Sequence, residues 1–296
     1  MDLIRLEQLV RSEKAAKAFF KRFCWPDGRP VCVKCGHEKV YRLGDQRLRC
    51  PACRYTFHDL SRRWISSGGL SCRDWLRLLK LFELGLTANR MAPQLRLTYN
   101  TVYKAMTNLR LAILASGLDA NQLFSSCSGL DLGQGGPEPG AWNRYPVFGI
   151  IEKQGWVFID LLPNMRAETV LHFNLNFSLK LTRLGNIVYT DRYQRYDALI
   201  FCGDDDLPLN YVNIRGKGAY VDSLKGSFWN YARARLKRYN GVSPRRFPLY
   251  LKELEFRYNH RDQDLIPLLS ERLCAQVPEY AQSPSRCVAD ASVANQ

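Results

Sequence analysis

The sequence predicts an α/β protein in three parts: a small cysteine-rich ribbon, a helical region resembling a helix-turn-helix, and a mixed-sheet domain. Three observations carry this reading. Cys32, Cys35, Cys50 and Cys53 form the pattern C-x2-C-x14-C-x2-C around short β-prone pieces. Apolar residues recur at helical spacing from Ser71 to about Leu114. Beyond Tyr145, runs rich in Val, Ile and Phe precede helical patterns, as in a mixed α/β domain.

In chain order, residues 2 to 22 place Leu3, Leu6, Leu9 and Val10 at helical spacing with Phe19 and Phe20 following, which predicts one opening amphipathic helix. Val40-Tyr41 and Leu48-Arg49, separated by the turn signal Gly44-Asp45, predict a hairpin between the two cysteine pairs. Ser71 with Asp74 three residues later reads as a helix cap, and Trp75, Leu78, Leu79 and Phe82 share the face that follows. A second helical segment runs from Thr87 to Leu95, and a third follows Leu97-Thr98-Tyr99-Asn100 to about Leu114. Two helices joined this tightly suit a helix-turn-helix.

From Ser116 to Tyr145 the periodicity is lost. Then YPVFGIIE, GWVFIDLLP and GNIVYTD read as buried strands. Helical patterns return at Ala167 to Leu179, about Arg192 to Phe201, Ser223 to Tyr239 and Pro248 to Asn259. The expected organisation is an N-terminal helix (1–23), the ribbon (24–62), the helical region (63–116), the α/β domain (117–275) and a fraying tail (276–296).

Composition limits what such a chain can do. With 46% hydrophobic and 12% aromatic residues it buries a real core, which excludes a disordered or collagen-like chain. A formal charge of +15 calls for an anionic partner, with nucleic acid the first choice. The excess is N-terminal: up to Arg110 there are 22 basic and 9 acidic residues, against 21 and 19 in the remaining 186. No apolar run is long enough to cross a bilayer, and an opening segment carrying Asp2, Glu7 and Glu13 is unlike a signal peptide. A cytoplasmic location is expected.

In a reducing compartment, closely paired cysteines hold metal more often than they form disulfides. Two C-x2-C knuckles flanking a hairpin can present four thiolates tetrahedrally, so Cys32, Cys35, Cys50 and Cys53 are expected to bind a structural Zn²⁺. So small a module has too little core to fold without it. His37 and His58 are read as non-ligands, and Cys24, Cys72, Cys127, Cys202, Cys274 and Cys287 as ordinary cysteines. Lys34, Lys39, Arg42, Arg47, Arg49, Arg54, Arg62 and Arg63 surround the ribbon, where they would attract phosphate.

The third helix would expose Asn100, Thr101, Lys104 and Asn108 to a major groove, with Val102, Ala105, Met106 and Leu109 as core. A plain packing helix fits the same pattern. Asp191 follows an apolar strand, the usual place for a metal-binding carboxylate, and equally the place for a helix cap.

The series VYTDRYQRYDAL, SFWNYARARLKRYNGVSPRRF and YLKELEFRYNHR, following a zinc ribbon and a helical linker, resembles the ISXO2-like insertion-sequence transposases over about residues 15 to 262. The resemblance implies a ribonuclease-H-like domain that cuts and joins DNA by phosphoryl transfer, with two Mg²⁺ ions held by an Asp-Asp-Glu set. It also implies transposon terminal inverted repeats as the DNA partner, and a homo-oligomer that brings two ends together. The second acid corresponds to Asp191. The first corresponds to Asp131, within Gly129-Leu130-Asp131-Leu132, where Leu132 replaces a neighbouring acid and Gly135-Gly136 follow.

The third acid should stand two residues before Phe228-Trp229, and that position is Gly226. Asp222, four residues earlier, is a weak substitute. Arg233 matches a basic position kept by the family. With Arg235, Lys237, Arg238, Arg245 and Arg246 it forms a stretch suited either to the DNA backbone or to a solvated helix face. The segment from Asp131 to Tyr145, usually basic in the family, here offers Arg144 against Asp131 and Glu138. The implied function is a transposase-like DNA-binding protein with an impaired cutting site. The alternatives are a catalytically inactive, domesticated or relict DNA-binding protein, and a regulator with an unrelated α/β effector domain.

Overall fold

The computed structural model describes residues 1–117, 120, 147–153, 156–162, 186–188, 200–202, 227–236, 238–239 and 247–281. The chain divides into two compact units, Met1–Ser116 with Asp262–Gln296, and Gly117–Arg261.

The first unit opens with two helices, α1 (Leu3–Val10) and α2 (Glu13–Cys24), where the sequence predicted one. Ser12 causes the break. It takes an extended backbone (φ −137°) and its side chain accepts from the Ala15 N–H, so it starts α2 afresh. The ribbon follows as β1 (Tyr41–Arg42), β2 (Leu48–Arg49) and β3 (Thr56–Phe57), antiparallel in the order β1-β2-β3. The hairpin is where the sequence predicted it, and β3, too short for a period-2 signal, adds a third strand. Leu48 pairs with Phe57, and both are buried beneath the ribbon.

A 3₁₀ turn (Trp64–Gly68) leads to α3 (Cys72–Glu83). Ser71 caps α3 as predicted, accepting from the Asp74 N–H. The Glu13 carboxylate adds a second cap, accepting from the N–H of Cys72 at 2.7 Å and of Arg73 at 3.2 Å, a favourable place for negative charge. Trp75, Leu78, Leu79 and Phe82 are fully buried. Next come α4 (Ala88–Leu95) and α5 (Tyr99–Ala115), joined through Arg96, Leu97 and Thr98.

The sequence left the stretch after Asp262 inside the α/β domain, but α8 (Leu265–Cys274) belongs to the first unit and packs on α2, α3 and α5. An antiparallel bridge between Arg63 and Gln276 ties down the chain beyond it. Arg63 is the pin of this unit. Its guanidinium donates to the carbonyls of Cys24 (2.9 Å), Asp59 (3.0 Å) and Cys274, and lies 4.5 Å from the Trp25 ring centroid. Asp59 in turn accepts from the Trp25 indole at 2.8 Å.

The second unit contains β4 (Val147–Lys153), β5 (Trp156–Leu162), β6 (Asn186–Val188), β7 (Ile200–Cys202), α6 (Ser227–Leu236) and α7 (Phe247–Asn259). The sheet order is β5-β4-β7-β6. β4 and β5 form an antiparallel hairpin, β4 runs parallel to β7, and β6 antiparallel to β7. Ile200 and Phe201, expected to end a helix, lie in β7; the rest of that expected helix and the one at Ala167 to Leu179 fall outside the described residues.

Helix α7 packs on the edge strand β5. Glu255 accepts from the Ile159 N–H at 2.9 Å, and Lys252 donates to the Ile159 carbonyl while pairing with Glu255 at 3.1 Å. Glu253 and Arg257 form a buried pair at 2.7 Å, and the Tyr239 hydroxyl donates to Glu253. Among the described residues, no helix is long and apolar enough to cross a membrane.

Candidate metal centre and nucleic-acid interface

Two matching knuckles build the metal centre. In the first, the Cys32 N–H donates to the His37 carbonyl at 2.9 Å; in the second, the Cys50 N–H donates to the Tyr55 carbonyl at 3.0 Å. The residue after each second cysteine, Gly36 (φ 73°) or Arg54 (φ 59°), is left-handed and turns the chain back into the ribbon. The four sulfurs converge within 4.8 Å of one another, with Cys32–Cys53 at 3.5 Å and Cys35–Cys50 at 3.7 Å. A tetrahedral ion with Zn–S bonds of about 2.3 Å has sulfur–sulfur edges of about 3.8 Å, so this donor set fits Zn²⁺.

The thiols alone are an uneasy cluster. Burial opposes ionisation of Cys32, but the N–H groups of Cys35 and Lys34 and the neighbouring thiols outweigh it and bring Cys32 down to about 7. The His37 N–H favours the Cys35 thiolate, yet the Cys53 thiol, desolvation and the thiols of Cys32 and Cys50 push Cys35 up to about 12. Four thiolates packed this closely call for a divalent cation, and Zn²⁺ supplies the charge and the cross-link that hold the ribbon. His37 and His58 are not part of the sulfur cluster.

Helices α4 and α5, joined through Arg96, Leu97 and Thr98, are compatible with both expectations, a helix-turn-helix and a plain packing pair. The two halves of α5 differ. Val102, Ala105, Met106 and Leu109 are buried as expected, and from Leu109 to Leu114 every residue is buried. The first half presents exposed Asn100 and Lys104 and half-buried Thr101 and Asn108. Beside them lies a feature not read from the sequence: Tyr99 and Tyr103 stack at 5.6 Å, with Tyr99 45% exposed. Their i, i+4 spacing along the flank of the apolar stripe was the available signal.

The basic residues around the ribbon separate into groups. Lys34 and Arg54 are exposed, Lys34 lying 5.9 Å from the Tyr55 ring. Arg47 is exposed but paired with Asp45 at 2.5 Å. Arg63, expected to face phosphate, is buried and serves the fold. Arg62 donates to the Val33 carbonyl at 3.5 Å.

In the second unit, Arg235 is half-buried with its guanidinium 5.0 Å from the Tyr231 ring. Arg233 lies in α6, its side chain outside the described parts, and Asp131, Asp191, Asp222, Gly226 and Lys237 fall outside the described residues. The carboxylates of buried Glu253 and half-buried Glu255 are both engaged within the fold.

A Cys₄ ribbon, a pair of closely joined helices and a separate α/β unit define a zinc-ribbon protein. Comparison with known proteins gives the family. Residues 11–56 match the transposase zinc-ribbon domain, and residues 132–259 match the ISXO2-like transposase domain. The second match begins one residue after Asp131 and encloses Asp191 and Gly226. An uncharacterized transposase-like protein of Haemophilus influenzae is 30% identical over 107 residues, which cover 36% of this chain and 83% of that protein. The chain belongs to the ISXO2-like transposase family. No solved structure matches it.

Proposed function

We propose that this protein binds the terminal inverted repeats of a mobile element and does not cut them. Binding falls to the first unit, where the zinc ribbon supplies exposed Lys34 and Arg54 and the open half of α5 supplies Asn100, Thr101, Lys104 and Asn108. Short polar side chains at the start of such a helix reach base edges in a major groove, while the basic groups hold phosphate.

The observation behind the loss of cutting is Gly226. On a ribonuclease-H-like scaffold, two Mg²⁺ ions would need three carboxylates to position the attacking and leaving oxygens. Asp131 and Asp191 supply two. A glycine supplies no side-chain oxygen, and Asp222, four residues earlier in the sequence, carries the shorter acidic side chain. Glu253 and Glu255, being committed to Arg257, Lys252 and Ile159, are not replacements. Arg233, Arg235 and Lys237 would still grip the DNA backbone. Pairing two ends takes at least two copies, so a homo-oligomer forms on DNA, in the cytoplasm.

Footprinting on an end-containing duplex tests the binding half. Protection of the terminal repeat by the native chain, weakened by about 1–3 kcal/mol in Asn100→Ala, is expected. Equal protection of repeat and unrelated sequence would refute it.

A further inference from the structure

We infer that Arg54 and Arg96 are phosphate contacts for duplex DNA, one offered by the second zinc knuckle and one by the turn ahead of α5. This rests on the end-binding reading above and adds to it the residues that set its salt dependence. Among the described residues, four other than glycine take a left-handed backbone: Gln46, Arg54, Arg62 and Arg96, with φ between 54° and 69°. Three of the four are arginines. That conformation penalises any residue with a Cβ and suits glycine.

The ribbon contains the low-strain solution beside the strained one. Gly36 closes the first knuckle at φ 73° and Arg54 closes the second at φ 59°. The fold asks for glycine geometry at both, so the arginine is not there for the backbone. Arg96 repeats the situation at the C-terminus of α4, where its own N–H and that of Leu97 bond back to Pro93 (3.3 Å) and Ala92 (3.1 Å). Glycine is the usual residue at such a helix end.

Arg62 has internal employment, its guanidinium on the Val33 carbonyl and its own carbonyl accepting from the Val277 N–H. Arg54 and Arg96 are exposed and have no side-chain partner among the described residues. Each is a permanent charge rooted on a backbone that capping or knuckle bonds hold still, and a planar guanidinium fork matches phosphate oxygens. DNA is the partner that fits, because both belong to the stretch where basic residues outnumber acidic ones 22 to 9. Arg96 also stands four residues before Asn100, at the head of the exposed half of α5.

The test uses the full zinc-loaded chain and fluorescence anisotropy on two labelled duplexes, one carrying the element's end and one unrelated, across a salt series. Arg54→Gly and Arg96→Gly should leave the melting temperature unchanged or raise it. Each should make the log–log salt slope shallower by about 0.9, weakening both duplexes alike. Arg96→Lys should keep the slope, and Arg62→Gly should keep it while lowering stability. A full native slope in the Arg54→Gly, Arg96→Gly double variant overturns the inference alone, as does a lowered melting temperature in either single variant. Absence of duplex binding by the native chain overturns the end-binding reading with it.

Discussion

The side-chain amide of Asn259 makes both main-chain hydrogen bonds of Val157: Oδ1 accepts from its N–H at 2.7 Å, and Nδ2 donates to its carbonyl at 2.6 Å. Two residues along β5, Glu255 and Lys252 do the same for the N–H and carbonyl of Ile159. Helix α7 thus stands in for a neighbouring strand on the outer edge of the sheet, through residues spaced by three and four along one helix face. An open edge would invite pairing with another chain, and this one is closed by side chains.

Asn259→Asp keeps the acceptor and loses the donor, setting a carboxylate oxygen against the Val157 carbonyl. It should cost about 1–3 kcal/mol, the range for a polar group left unsatisfied. Denaturant unfolding measures the loss, with faster amide exchange in β5 as its local signature. Unchanged stability would mean that the edge does not need the clamp.

Arg63→Lys should destabilise the first unit by about 3 kcal/mol, because an ammonium cannot span three carbonyls or lie flat against Trp25. The effect is expected in urea unfolding of the zinc-loaded protein. A loss of DNA affinity with intact stability would instead return Arg63 to the phosphate-binding set.

Chelation of zinc, or Cys50→Ser, should melt β1, β2 and β3 and abolish protection of the terminal repeat while α7 and β5 stay folded. Metal analysis should give one zinc per native chain. Circular dichroism with footprinting reads both parts. End recognition that survives chelation would remove the ribbon from the DNA interface.

Where local chemistry fixes structure, the sequence was readable. The C-x2-C spacing located the knuckles, the Ser71–Asp74 cap located α3, and the Val102–Leu109 stripe gave the buried side of α5. What was missed depends on distant partners. Arg63 sits in a basic run and reads as surface until Cys24, Asp59 and Cys274 surround it. The duty of Asn259 exists only once α7 lies along β5. The helix break at Ser12 was a local signal overlooked, since its cap competes with an apolar pattern continuing through it. Asp131 and Asp191 lie outside the described residues, and the roles proposed for them come from the sequence resemblance alone.

A DNA-end-binding protein one carboxylate short of a nuclease should leave its DNA whole, which incubation of an end-containing duplex with Mg²⁺ and either the native chain or Gly226→Glu measures. Bound but uncut DNA is expected with the native chain, strand cleavage with Gly226→Glu, and loss of that cleavage when Asp191→Asn is added. Mg²⁺-dependent cutting by the native chain that Asp191→Asn removes would contradict that expectation.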